Sequence, residues 1–517
     1  MLSAQGVHLG AQGVGFGAQG VQLGVQGATV PSLSADSRSV RAGDVFVAYP
    51  GHNAKLDGRA YIGDAIAQGA AAVLWEREGF EWNPGWSLPN IGVTGLKPLV
   101  GAISSEVYGK PSKQLFMAGV TGTNGKTSVV QWIAEALEIC GKPCGSIGTL
   151  GASFHALTLE AVNTTPDAIV LQRILRAMLD AGAVACAMEV SSIGLDQERT
   201  SGVAFDCAVF TNFTRDHLDY HADMAAYEAA KTKLFTQTGI SHAVINLDDP
   251  MGVRMMMKLD ESVTRIAYCI AGKSPVAEIV EDEGRLTASA VSFDAQGARF
   301  TVTVDGGREH GCSAQIAAPV WGEFNVSNLL AVMGALSTAG VAFDDAVRAV
   351  SQLTPVPGRM NALGGVHQPL VVIDYAHTPD ALSKALETLK PIAQSRGGAL
   401  RVVFGCGGDR DAGKRPLMGA AAEAIADTVM LTSDNPRSEK PDAILAAIAA
   451  GMSKPHLVVK DRAAAITRAV TGAAQNDVIL IAGKGHEATQ EVAGIKLPFS
   501  DHNVARQALE NRARNSA

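Results

Sequence analysis

A glycine-rich segment between an apolar run and a helical pattern limits what this chain can fold into more than any other part of its sequence. The segment is GVTGTNGKT, residues 119–127. Its glycines, lysine and threonine have the spacing of a P-loop, which joins a strand to a helix. In such a turn, consecutive backbone N–H groups and the helix N-terminus surround phosphate oxygens. The segment therefore predicts an α/β domain that binds a nucleoside triphosphate.

Side chains in and near this loop indicate how it would hold a phosphate. Lys126 would reach the outer phosphates, and Thr127 would offer its hydroxyl group to Mg²⁺. A P-loop also needs an acidic partner for the metal, and Glu189 ends the apolar run ACAME, where the edge of a sheet would place it. Motors, switches, kinases and ligases share the loop, so the loop alone leaves the reaction open.

Composition narrows the class of protein and its surroundings. The chain has 517 residues, of which 47% are apolar and 18% charged, and this predicts a globular protein of roughly two to four domains. A net charge of -8 predicts no nucleic-acid partner, and no run is apolar enough for membrane insertion. The seven cysteines form no Cys-x-x-Cys pair, which favours the reducing cytoplasm.

Two segments rich in proline, glycine and polar residues divide the chain. They are YGKPSKQ at residues 108–114 and LTPVPGRMNALGG at residues 353–365. Before them, the amino terminus repeats AQGV with a period of seven, and its many glycines oppose a helix. We predict a flexible glycine-rich arm over residues 1–30, a small α/β substrate-binding domain over 31–110, a central P-loop domain over 111–353 and a C-terminal domain over 354–517.

Alternating strand and helix patterns indicate the fold of the last two domains. In the C-terminal domain, apolar runs such as LVVIDY, LRVVFG, TVMLTS and VILIAG alternate with helical patterns that begin at Pro379, Lys414, Pro441 and Arg462. This alternation predicts a doubly wound, Rossmann-like sheet of mostly parallel strands. The central domain alternates in the same way, except that residues 270–320 have the pattern of a β insertion.

Polar clusters follow several of the predicted strands in the C-terminal domain. They are Asp374, residues 405–410, SDNPR at residues 433–437 and residues 483–487. Ligands bind at the carboxyl ends of strands in doubly wound sheets, so we expect these clusters to share one edge. Aspartate, asparagine and proline are also ordinary turn formers, so SDNPR by itself favours a plain loop over a binding loop.

A pair of histidines in the central domain allows two interpretations. His217 and His221 are four residues apart, and Asp216 and Asp219 stand beside them. The spacing suits a metal site, but such a pair taken by itself more often belongs to a surface helix turn or a capped loop.

Motifs along all three predicted domains resemble one family. They are, in order, GVTGTNGKTS, NTT, AMEVSS, TNFTRDHLDYH, YEAAKTKLF, FNVSN, PGRM, VVIDYAHTPD, GCGGDRDAGKRPLMG, TSDNPR and AGKGHE. Together they are similar to the Mur ligase family from about Leu33 to the carboxyl terminus. One position departs from the family pattern, since Ile193 stands where the family has a histidine.

The resemblance implies a three-domain, ATP-dependent amide ligase of peptidoglycan synthesis. ATP would phosphorylate the γ-carboxylate of D-glutamate in UDP-N-acetylmuramoyl-L-alanyl-D-glutamate, and the amine of an amino acid would then attack the acyl phosphate. Phosphoryl transfer between two anions needs charge neutralisation and alignment, which Lys126, Thr127 and Mg²⁺ would supply. The implied ligands are ATP, Mg²⁺ and these small substrates, and the enzyme would be a monomer in the cytoplasm.

The same motifs imply four groups of site residues. The catalytic residues would be Lys126, Glu189, His217 and Lys231, with a carbamylated Lys231 joining Thr127, Glu189 and His217 around Mg²⁺. ATP would contact Gly122, Thr123, Asn124, Gly125, Lys126, Thr127, Ser128, Asn325, Arg359, Asp374 and His377. The uridine nucleotide and its peptide would contact Ser37, His52, Asn53, Ala54, Asn163, Thr164, Thr165, Ser191, Gln197 and Arg199. The incoming amino acid would contact Arg410, Asp434, Asn435, Pro436, Arg437, Gly483 and Glu487.

The SDNPR segment would then select the amino acid. Meso-2,6-diaminopimelate carries a distal ammonium and a distal carboxylate, whereas lysine lacks that carboxylate. Asp434 and Asn435 would accept from the ammonium, Arg437 would bind the carboxylate through two hydrogen bonds, and Pro436 would fix the turn. A buried Arg437 left unpaired would disfavour lysine, so we predict diaminopimelate.

Three alternatives stay open at this point. A lysine-adding homologue would use the same chemistry with a different pocket. A P-loop switch or motor would hydrolyse ATP without either of the other substrates. A folylpolyglutamate synthetase or a neighbouring Mur enzyme is the third, and the DNPR and GKGHE segments argue against it.

Overall fold

Short apolar runs, separated by glycines and capping residues, give this chain its alternating strands and helices. Several helices begin at a side-chain cap: Asp167, Asp223 and Thr378 each accept a hydrogen bond from a backbone N–H of the following turn. The computed structural model describes residues 7–10, 13–16, 21–23, 32–51, 56–159, 163–237, 239–274, 284–294, 297–365 and 367–516.

Two small sheets occur in the N-terminal part of the described chain. Their strands are β1 (Val7–Gly10), β2 (Gly13–Phe16), β3 (Val21–Leu23), β4 (Leu33–Ser34), β5 (Val45–Ala48), β6 (Ala72–Glu76) and β7 (Asn90–Val93). The helices are α1 (Ile62–Ala67) and α2 (Val100–Val107), with 3₁₀ turns at Ser37–Ser39, Gly58–Tyr61, Lys97–Leu99 and Pro111–Lys113. Strands β1 to β3 are antiparallel and belong to the predicted arm, most of which lies outside the described residues. Strands β4 to β7 are parallel and adjacent in chain order.

The central domain contains one long sheet with helices on both faces. Its strands are β8 (Phe116–Thr121), β9 (Cys144–Gly148), β10 (Gly151–Phe154), β11 (Leu157–Leu159), β12 (Ala185–Glu189), β13 (Cys207–Phe210), β14 (His242–Asn246), β15 (Thr264–Ile270), β16 (Gly284–Asp294), β17 (Gly297–Asp305) and β18 (Ser313–Ala318). Its helices are α3 (Lys126–Ile139), α4 (Ala168–Asp180), α5 (Ser192–Asp196), α6 (Met224–Thr232), α7 (Pro250–Met256), α8 (Glu323–Thr338) and α9 (Phe343–Ser351), with a 3₁₀ turn at Lys233–Thr236.

The order of this sheet is β11-β10-β9-β12-β8-β13-β14-β15-β16-β17-β18. The strands from β9 to β16 in that order are parallel, and the strands at both ends are antiparallel. Helices α3, α8 and α9 cover one face, and α4 and α7 cover the other. The β segment expected in residues 270–320 is present as β16, β17 and β18, which pair with β15 and with one another and so extend the central sheet.

The C-terminal domain is doubly wound. Its strands are β19 (Asn361–Gly364), β20 (Leu370–Asp374), β21 (Leu400–Phe404), β22 (Thr428–Leu431), β23 (Leu457–Val458), β24 (Val478–Ala482), β25 (Thr489–Val492) and β26 (Ile495–Pro498). Its helices are α10 (Pro379–Ser395), α11 (Lys414–Ile425), α12 (Pro441–Ala449), α13 (Arg462–Thr471) and α14 (Asp501–Ser516). The main sheet has the order β19-β20-β24-β21-β22-β23, parallel except for β19, and β25 and β26 form a separate hairpin.

The predicted fold class is confirmed. The chain is a mixed α/β protein with mostly parallel sheets, and the C-terminal helices begin at Pro379, Lys414, Pro441 and Arg462 as expected. Helices α10, α11 and α12 cover one face of the C-terminal sheet, while α13 and α14 cover the other. Nowhere in the described part of the chain is a helix long and apolar enough to cross a membrane.

Candidate active site

The P-loop joins β8 to α3 at the carboxyl ends of the parallel strands of the central sheet. Gly122 and Gly125 have positive φ angles of 148° and 86°. A Cβ atom at Gly125 would lie 2.6 Å from Asn328 Oδ1, so this turn requires glycine. The backbone N–H of Asn124 donates to Asn212 Oδ1 at 2.9 Å, which ties the loop to the segment after β13.

Two lysines share one carbonyl oxygen at this loop. Lys126 Nζ donates to Gly122 O at 2.9 Å and to Thr123 O at 2.8 Å, and Lys231 Nζ donates to Gly122 O at 2.7 Å. Lys231 is fully buried, with its Nζ 4.4 Å from the centre of the Tyr227 ring. Burial, and then the charge of Lys126, hold the pKa of Lys231 well below its ordinary value. The amine of Lys231 is therefore poised to be neutral.

A buried carboxylate joins the central and C-terminal domains. Asp216 Oδ1 lies 3.3 Å from Nζ of Lys414, the first residue of α11. Asp216 Oδ2 lies 3.6 Å from Nε2 of His217 and 3.6 Å from Nε2 of His377, which follows β20. Burial alone would raise the pKa of Asp216, but the hydrogen bond from His377 and the surrounding positive charges outweigh it, so the pKa lies well below its ordinary value.

His217 has an unusual backbone and a neutral ring. Its φ angle is 53°, in the left-handed region that non-glycine residues seldom adopt. Burial lowers its pKa to about 3, assisted by Lys126 and Lys231 and opposed by Asp216. A neutral imidazole has a ring nitrogen that can act as a ligand or accept a proton.

His221 has a different environment from its predicted partner. It is buried, its Nε2 lies 3.0 Å from Ser192 Oγ, and its ring stacks on Tyr227 with the ring centres 5.2 Å apart. Within the described residues, no group of three or more histidine, cysteine, aspartate or glutamate side chains could hold a metal ion. His221 is therefore a packing residue, while His217 borders the P-loop.

Glu189 ends β12 at the same edge as the P-loop. Its Oε1 accepts from Thr149 N at 2.8 Å, and its Oε2 accepts from Thr149 Oγ1 at 3.2 Å. A Cβ atom at Gly148 would collide with this carboxylate, so the glycine leaves room for it. Burial lowers the pKa of Lys126, and the negative charge of Glu189 opposes that shift, which indicates that the two side chains lie near each other.

The residues predicted to surround a metal ion provide a mixed set of donors. Glu189 offers a carboxylate, His217 a neutral imidazole and Thr127 a hydroxyl group, all of which suit a divalent cation. Lys231 as an ammonium would repel a cation, so it fits this set only after its charge is removed or reversed. The Thr127 hydroxyl also accepts from Arg359 Nη2 at 2.9 Å.

The linker between the central and C-terminal domains contributes Arg359. Besides donating to Thr127, its guanidinium lies 4.6 Å from the centre of the Tyr375 ring. Asp374 Oδ2 accepts from Met360 N at 2.8 Å, which fastens the linker to the end of β20. Burial raises the pKa of Asp374, and the charge of Arg359 opposes that shift. The linker is thus attached to both domains.

Buried asparagines support the P-loop from α8. Asn325 Oδ1 accepts from Asn328 Nδ2 at 3.2 Å, and Asn328 lies directly behind Gly125. On the open side of the loop, Asn124 Nδ2 donates to Asp380 Oδ2 at 3.2 Å, and Asp380 belongs to α10 of the C-terminal domain. The P-loop therefore contacts the C-terminal domain through Asn124. Ser128 is buried in the first turn of α3.

Residues predicted to hold the peptide of the nucleotide substrate surround the end of β12. Thr165 Oγ1 donates to Glu189 O at 2.9 Å and to Ser191 Oγ at 3.1 Å. Arg199 Nη1 donates to Thr165 O at 2.8 Å, and its Nη2 donates to Gln197 Oε1 at 2.7 Å. Burial lowers the pKa of Arg199, so a bound anion would offset its desolvation.

The first domain approaches this group through Tyr49. Burial raises the pKa of Tyr49 to about 12 and the charge of Arg199 opposes the shift, so the two side chains are neighbours. Ser37 is buried in a 3₁₀ turn of the same domain. Asn163 is exposed and Thr164 is partly buried. The remaining predicted contacts, His52, Asn53 and Ala54, lie outside the described residues.

The SDNPR segment is held by the hairpin of β25 and β26. Arg437 has a φ angle of 51°, its N donates to Glu491 O at 3.1 Å, and its Nη1 donates to Gly408 O at 2.7 Å. Its Nε lies 3.7 Å from Glu491 Oε2, and 24% of its side chain is exposed. A Cβ atom at Gly407 would touch both Arg437 and Arg410, so the two arginines are adjacent. Pro436 precedes Arg437 and is buried.

The other members of this segment face the loop after β24. Asp434 is buried, its backbone oxygen accepts from Gln490 Nε2 at 2.7 Å, and a Cβ atom at Gly483 would lie 2.5 Å from its Oδ2. Asn435 Nδ2 donates to Glu487 Oε2 at 2.8 Å. The predicted amino-acid contacts therefore converge at the carboxyl ends of β21, β22 and β24.

Sequence reasoning missed several residues that arrange these groups. Lys414 and Lys484 stand in the quoted motifs GKRP and GKGHE, but a lysine in a loop is normally exposed, so the motifs alone assigned them no role. Arg462 is also fully buried, pairs with Asp501 at 2.7 Å and donates to Ser433 O at 3.3 Å. The residues missed are Tyr49, Thr149, Asp216, Tyr375, Lys414, Arg462 and Lys484.

Comparison with family models divides the chain into three matching parts. Residues 29–108 match the model described as Mur ligase family, catalytic domain. Residues 120–336 match the Mur ligase middle domain, and residues 358–485 match the Mur ligase, glutamate ligase domain.

Curated relatives match over nearly the whole chain. The UDP-N-acetylmuramoyl-L-alanyl-D-glutamate--2,6-diaminopimelate ligase of Janthinobacterium sp. is 48% identical over 493 residues, which cover 94% of this chain and 95% of the relative. The protein of the same name from Pseudomonas aeruginosa is 47% identical over 488 residues, covering 93% and 95%.

Solved structures agree with this similarity. A structure of a UDP-N-acetylmuramoyl-L-alanyl-D-glutamate--2,6-diaminopimelate ligase is 33% identical, with a TM-score of 0.63 and coverage of 93% of this chain and 95% of that one. MurF ligase from Thermotoga maritima, solved with ADP, shares the fold at 16% identity, with a TM-score of 0.64 and coverage of 94% and 99%.

Proposed function

This chain belongs to the Mur ligase family, and we propose that it uses ATP to join meso-2,6-diaminopimelate to the D-glutamate of UDP-N-acetylmuramoyl-L-alanyl-D-glutamate. The observation that carries the proposal is that the P-loop edge of the central domain meets the amino-acid loops of the C-terminal domain; the place where they meet is called the cleft. Lys414 of the C-terminal domain reaches Asp216 beside the P-loop, and Arg359 of the linker reaches Thr127. The relatives named above supply the identity of the two substrates.

The reaction forms one amide at the expense of one phosphoanhydride bond. The γ-carboxylate of D-glutamate attacks the γ-phosphorus of ATP, ADP leaves, and an acyl phosphate results. The amine of diaminopimelate then attacks the acyl carbon, inorganic phosphate leaves, and the nitrogen gives up its proton. Lys126 neutralises charge on the transferred phosphoryl group, and Arg359 approaches the same group from the linker.

We propose that Thr127, Glu189 and His217 hold Mg²⁺ when ATP is bound. Their oxygen and neutral nitrogen donors suit a divalent cation, and Glu189 is fixed in orientation by Thr149. When bound, Mg²⁺ supplies positive charge against the phosphates. Removal of divalent metal by EDTA should abolish ATP-dependent product formation, and added Mg²⁺ should restore it.

We further propose that Lys231 is carbamylated in the active enzyme. The pKa of this buried amine is held well below its ordinary value, so it is available as the neutral nucleophile that adds to CO₂. Addition forms an N–C bond and releases one proton, and it turns a neutral amine beside Lys126 into an anion that could join the metal donors. Intact-mass measurement at high bicarbonate should find the modification, and full activity of an enzyme with only free Lys231 would exclude it.

The nucleotide substrate would bind between the first two domains. Thr164, Thr165, Ser191, Gln197 and Arg199 supply hydrogen-bonding groups around the end of β12. We propose that Arg199 pairs with a phosphate or carboxylate of this substrate, because its guanidinium is largely buried without a carboxylate partner among its hydrogen bonds in the described residues. The proposed boundaries are 31–110, 111–353 and 354–517, following the arm at 1–30.

The distal end of diaminopimelate would meet the SDNPR segment. Arg437 lies at the cleft with part of its side chain exposed, and Arg410 is adjacent to it. We propose that Arg437 binds the distal carboxylate, and that Asp434 and Glu487 face the distal ammonium. In a lysine-adding ligase, the substrate would have no distal carboxylate for Arg437 to bind.

The deciding experiment is an amino-acid screen with ATP and the UDP-muramoyl dipeptide, in which the product mass is measured. We expect one amide product with diaminopimelate and much less with lysine. A preference for lysine would make the chain a lysine-adding ligase, and ATP turnover without either substrate would favour a switch.

We also propose that the protein is a cytoplasmic monomer. All seven cysteines are unpaired, which suits the reducing cytoplasm, and one chain supplies every group of the cleft. Light scattering would measure its mass in solution.

A further inference from the structure

A fully buried lysine lies beneath the proposed amino-acid site. Lys484 follows β24, and its side chain is 0% exposed. Its Nζ donates to Glu487 Oε2 at 2.6 Å and to Asn435 Oδ1 at 2.9 Å. A buried ammonium is costly unless hydrogen bonds and an opposite charge compensate it, so these contacts explain why the lysine is tolerated. These hydrogen bonds do not by themselves explain what Lys484 contributes to the amino-acid site.

The three side chains form a closed ring of hydrogen bonds. Asn435 Nδ2 donates to Glu487 Oε2 at 2.8 Å, which completes the ring that begins at Lys484. Asn435 Oδ1 also accepts from the backbone N–H of Glu491 at 3.0 Å. Two donors that have no acceptor capacity meet at this oxygen, so the orientation of the amide is fixed chemically. Loops that are 49 residues apart in the sequence are thereby locked together.

The ring uses only one oxygen of the Glu487 carboxylate. Within the described residues, both hydrogen bonds that this carboxylate accepts go to Oε2. Glu487 is partly exposed, so Oε1 is the oxygen left for a ligand. The amide oxygen of Asn435 already accepts from two donors, which makes it a weaker acceptor for a further ammonium. The geometry therefore favours Glu487 over Asn435 as the acceptor for a cationic group.

We propose that Lys484 is a positioning residue for the amino-acid substrate, which it serves by holding Asn435 and Glu487 so that Glu487 Oε1 receives an ammonium of that substrate. This inference rests on the proposed function. Lys484 does not touch the substrate, because it is fully buried, and it acts through the two residues that it binds. Without its ammonium, Glu487 Oε2 would keep only the donor from Asn435 Nδ2, and the Asn435 oxygen would keep only the donor from Glu491.

The test compares Lys484→Met, Glu487→Gln and the double variant with the wild type. Methionine keeps the length and apolar stem of lysine while removing its charge and donors. Lys390→Met is the matched control, since Lys390 lies in the same domain and also pairs with a carboxylate, Asp427, at 2.6 Å. The KM values for diaminopimelate, ATP and the nucleotide dipeptide are measured. A second assay traps the acyl phosphate with hydroxylamine, which needs no amino acid.

We expect Lys484→Met to raise the KM for diaminopimelate about tenfold or more, as for loss of a charge-assisted hydrogen bond at a binding group. The KM for ATP, the KM for the nucleotide and the yield of trapped hydroxamate should stay within about twofold of the wild type. The double variant should match Glu487→Gln alone, because Lys484 acts through Glu487. Lys390→Met should resemble the wild type throughout.

Two results would overturn the inference. One is an unchanged KM for diaminopimelate in Lys484→Met, and the other is an equal loss in the hydroxylamine assay, which would mark Lys484 as a general stabilising residue. If Lys484→Met does not fold, the double variant is used instead, because it removes both the buried ammonium and its carboxylate partner. A KM for diaminopimelate in the double variant that differs more than about threefold from that of Glu487→Gln would refute the coupling between Lys484 and Glu487. A wild type that traps hydroxamate but makes no amide with diaminopimelate would refute the proposed substrate instead.

Discussion

Replacing Arg437 by alanine should reduce the preference for diaminopimelate over lysine. The Arg437 side chain is 24% exposed at the cleft, and its Nη1 is engaged by Gly408 O at 2.7 Å. Its Nε is only loosely paired, 3.7 Å from Glu491 Oε2. The guanidinium therefore has N–H groups for a substrate carboxylate, and lysine has no carboxylate at that end.

The expected magnitude follows from these contacts. A hydrogen bond to a charged group contributes about 1.5–3 kcal/mol, and two such bonds would form with a carboxylate. Partial exposure and competition from Glu491 reduce that sum, so we expect a loss of about 2–3 kcal/mol, or roughly 30- to 150-fold in kcat/KM for diaminopimelate. The backbone adds little, because alanine at a φ angle of 51° is no more strained than arginine.

The assay measures kcat/KM for both amino acids from the amount of amide product. Arg437→Lys should lose less than Arg437→Ala, because it keeps the charge but not the two-pronged geometry. Arg254→Ala is the control, since Arg254 pairs with Glu228 on the surface of the central domain. A ratio of diaminopimelate to lysine in Arg437→Ala within about threefold of the wild type would refute Arg437 as the selector.

Three further predictions concern stability and domain contact. Arg462→Met should destabilise the C-terminal domain by about 3–5 kcal/mol in urea unfolding, because it leaves Asp501 charged and fully buried, and Asp501→Asn in the same chain should recover part of that loss. Burial lowers the pKa of His486 to about 4, so between about pH 6.5 and pH 4 the unfolded chain binds a proton at this residue and the folded chain does not. The free energy of unfolding should therefore decrease as the pH is lowered from about 6.5 to 4, and His486→Gln should flatten that part of the profile. Asp216→Asn and Lys414→Met should each lower kcat/KM, and their combined effect should differ from the sum of the single effects by about 1 kcal/mol or more, whereas additivity would mean that this contact does not couple the domains.

The fold was largely predictable because it depends on local patterns. The strand, glycine-rich turn and helix around residues 119–127 are adjacent in the sequence, and the C-terminal strands are continuous apolar runs. The hairpin of β25 and β26 was not predicted, since β26, Ile495–Pro498, is exposed along its whole length and has no buried alternation. The strands in residues 270–320 were predicted, but their attachment to β15 was not, because alternation does not reveal which strand becomes a neighbour.

The site residues that belong to a sequence motif were predictable, whereas those whose role depends on being buried beside distant residues were not. Lys126 and Glu189 follow from the P-loop and a strand end. Lys414 and Lys484 do not, because a lysine is buried only when distant residues compensate its charge. Lys414 pairs with Asp216, which is 198 residues away in the sequence. No spacing rule connects residues so far apart.

Both ends of the cleft contain cations and carboxylates, but the groups that the proposed substrates would meet differ between the two ends. Lys126 and Arg359 lie at the P-loop in a chain whose net charge is -8, and they are the cations that ATP would meet there. At the other end, buried Asp434 and partly exposed Glu487 favour an ammonium.

Tyr375 lies between the two ends. Burial raises the pKa of its hydroxyl, the carboxylates of Glu487, Asp434 and Glu189 raise it further, and Arg359 opposes them, so the ring is within reach of both sets of charges. In the proposed binding mode, the distal zwitterion of diaminopimelate lies at Asp434, Arg437 and Glu487, so the amine that attacks the acyl phosphate would come from the other end of the molecule. A diamine without the distal carboxylate would satisfy only the acidic half of that end, which is the physical basis for expecting the enzyme to reject lysine.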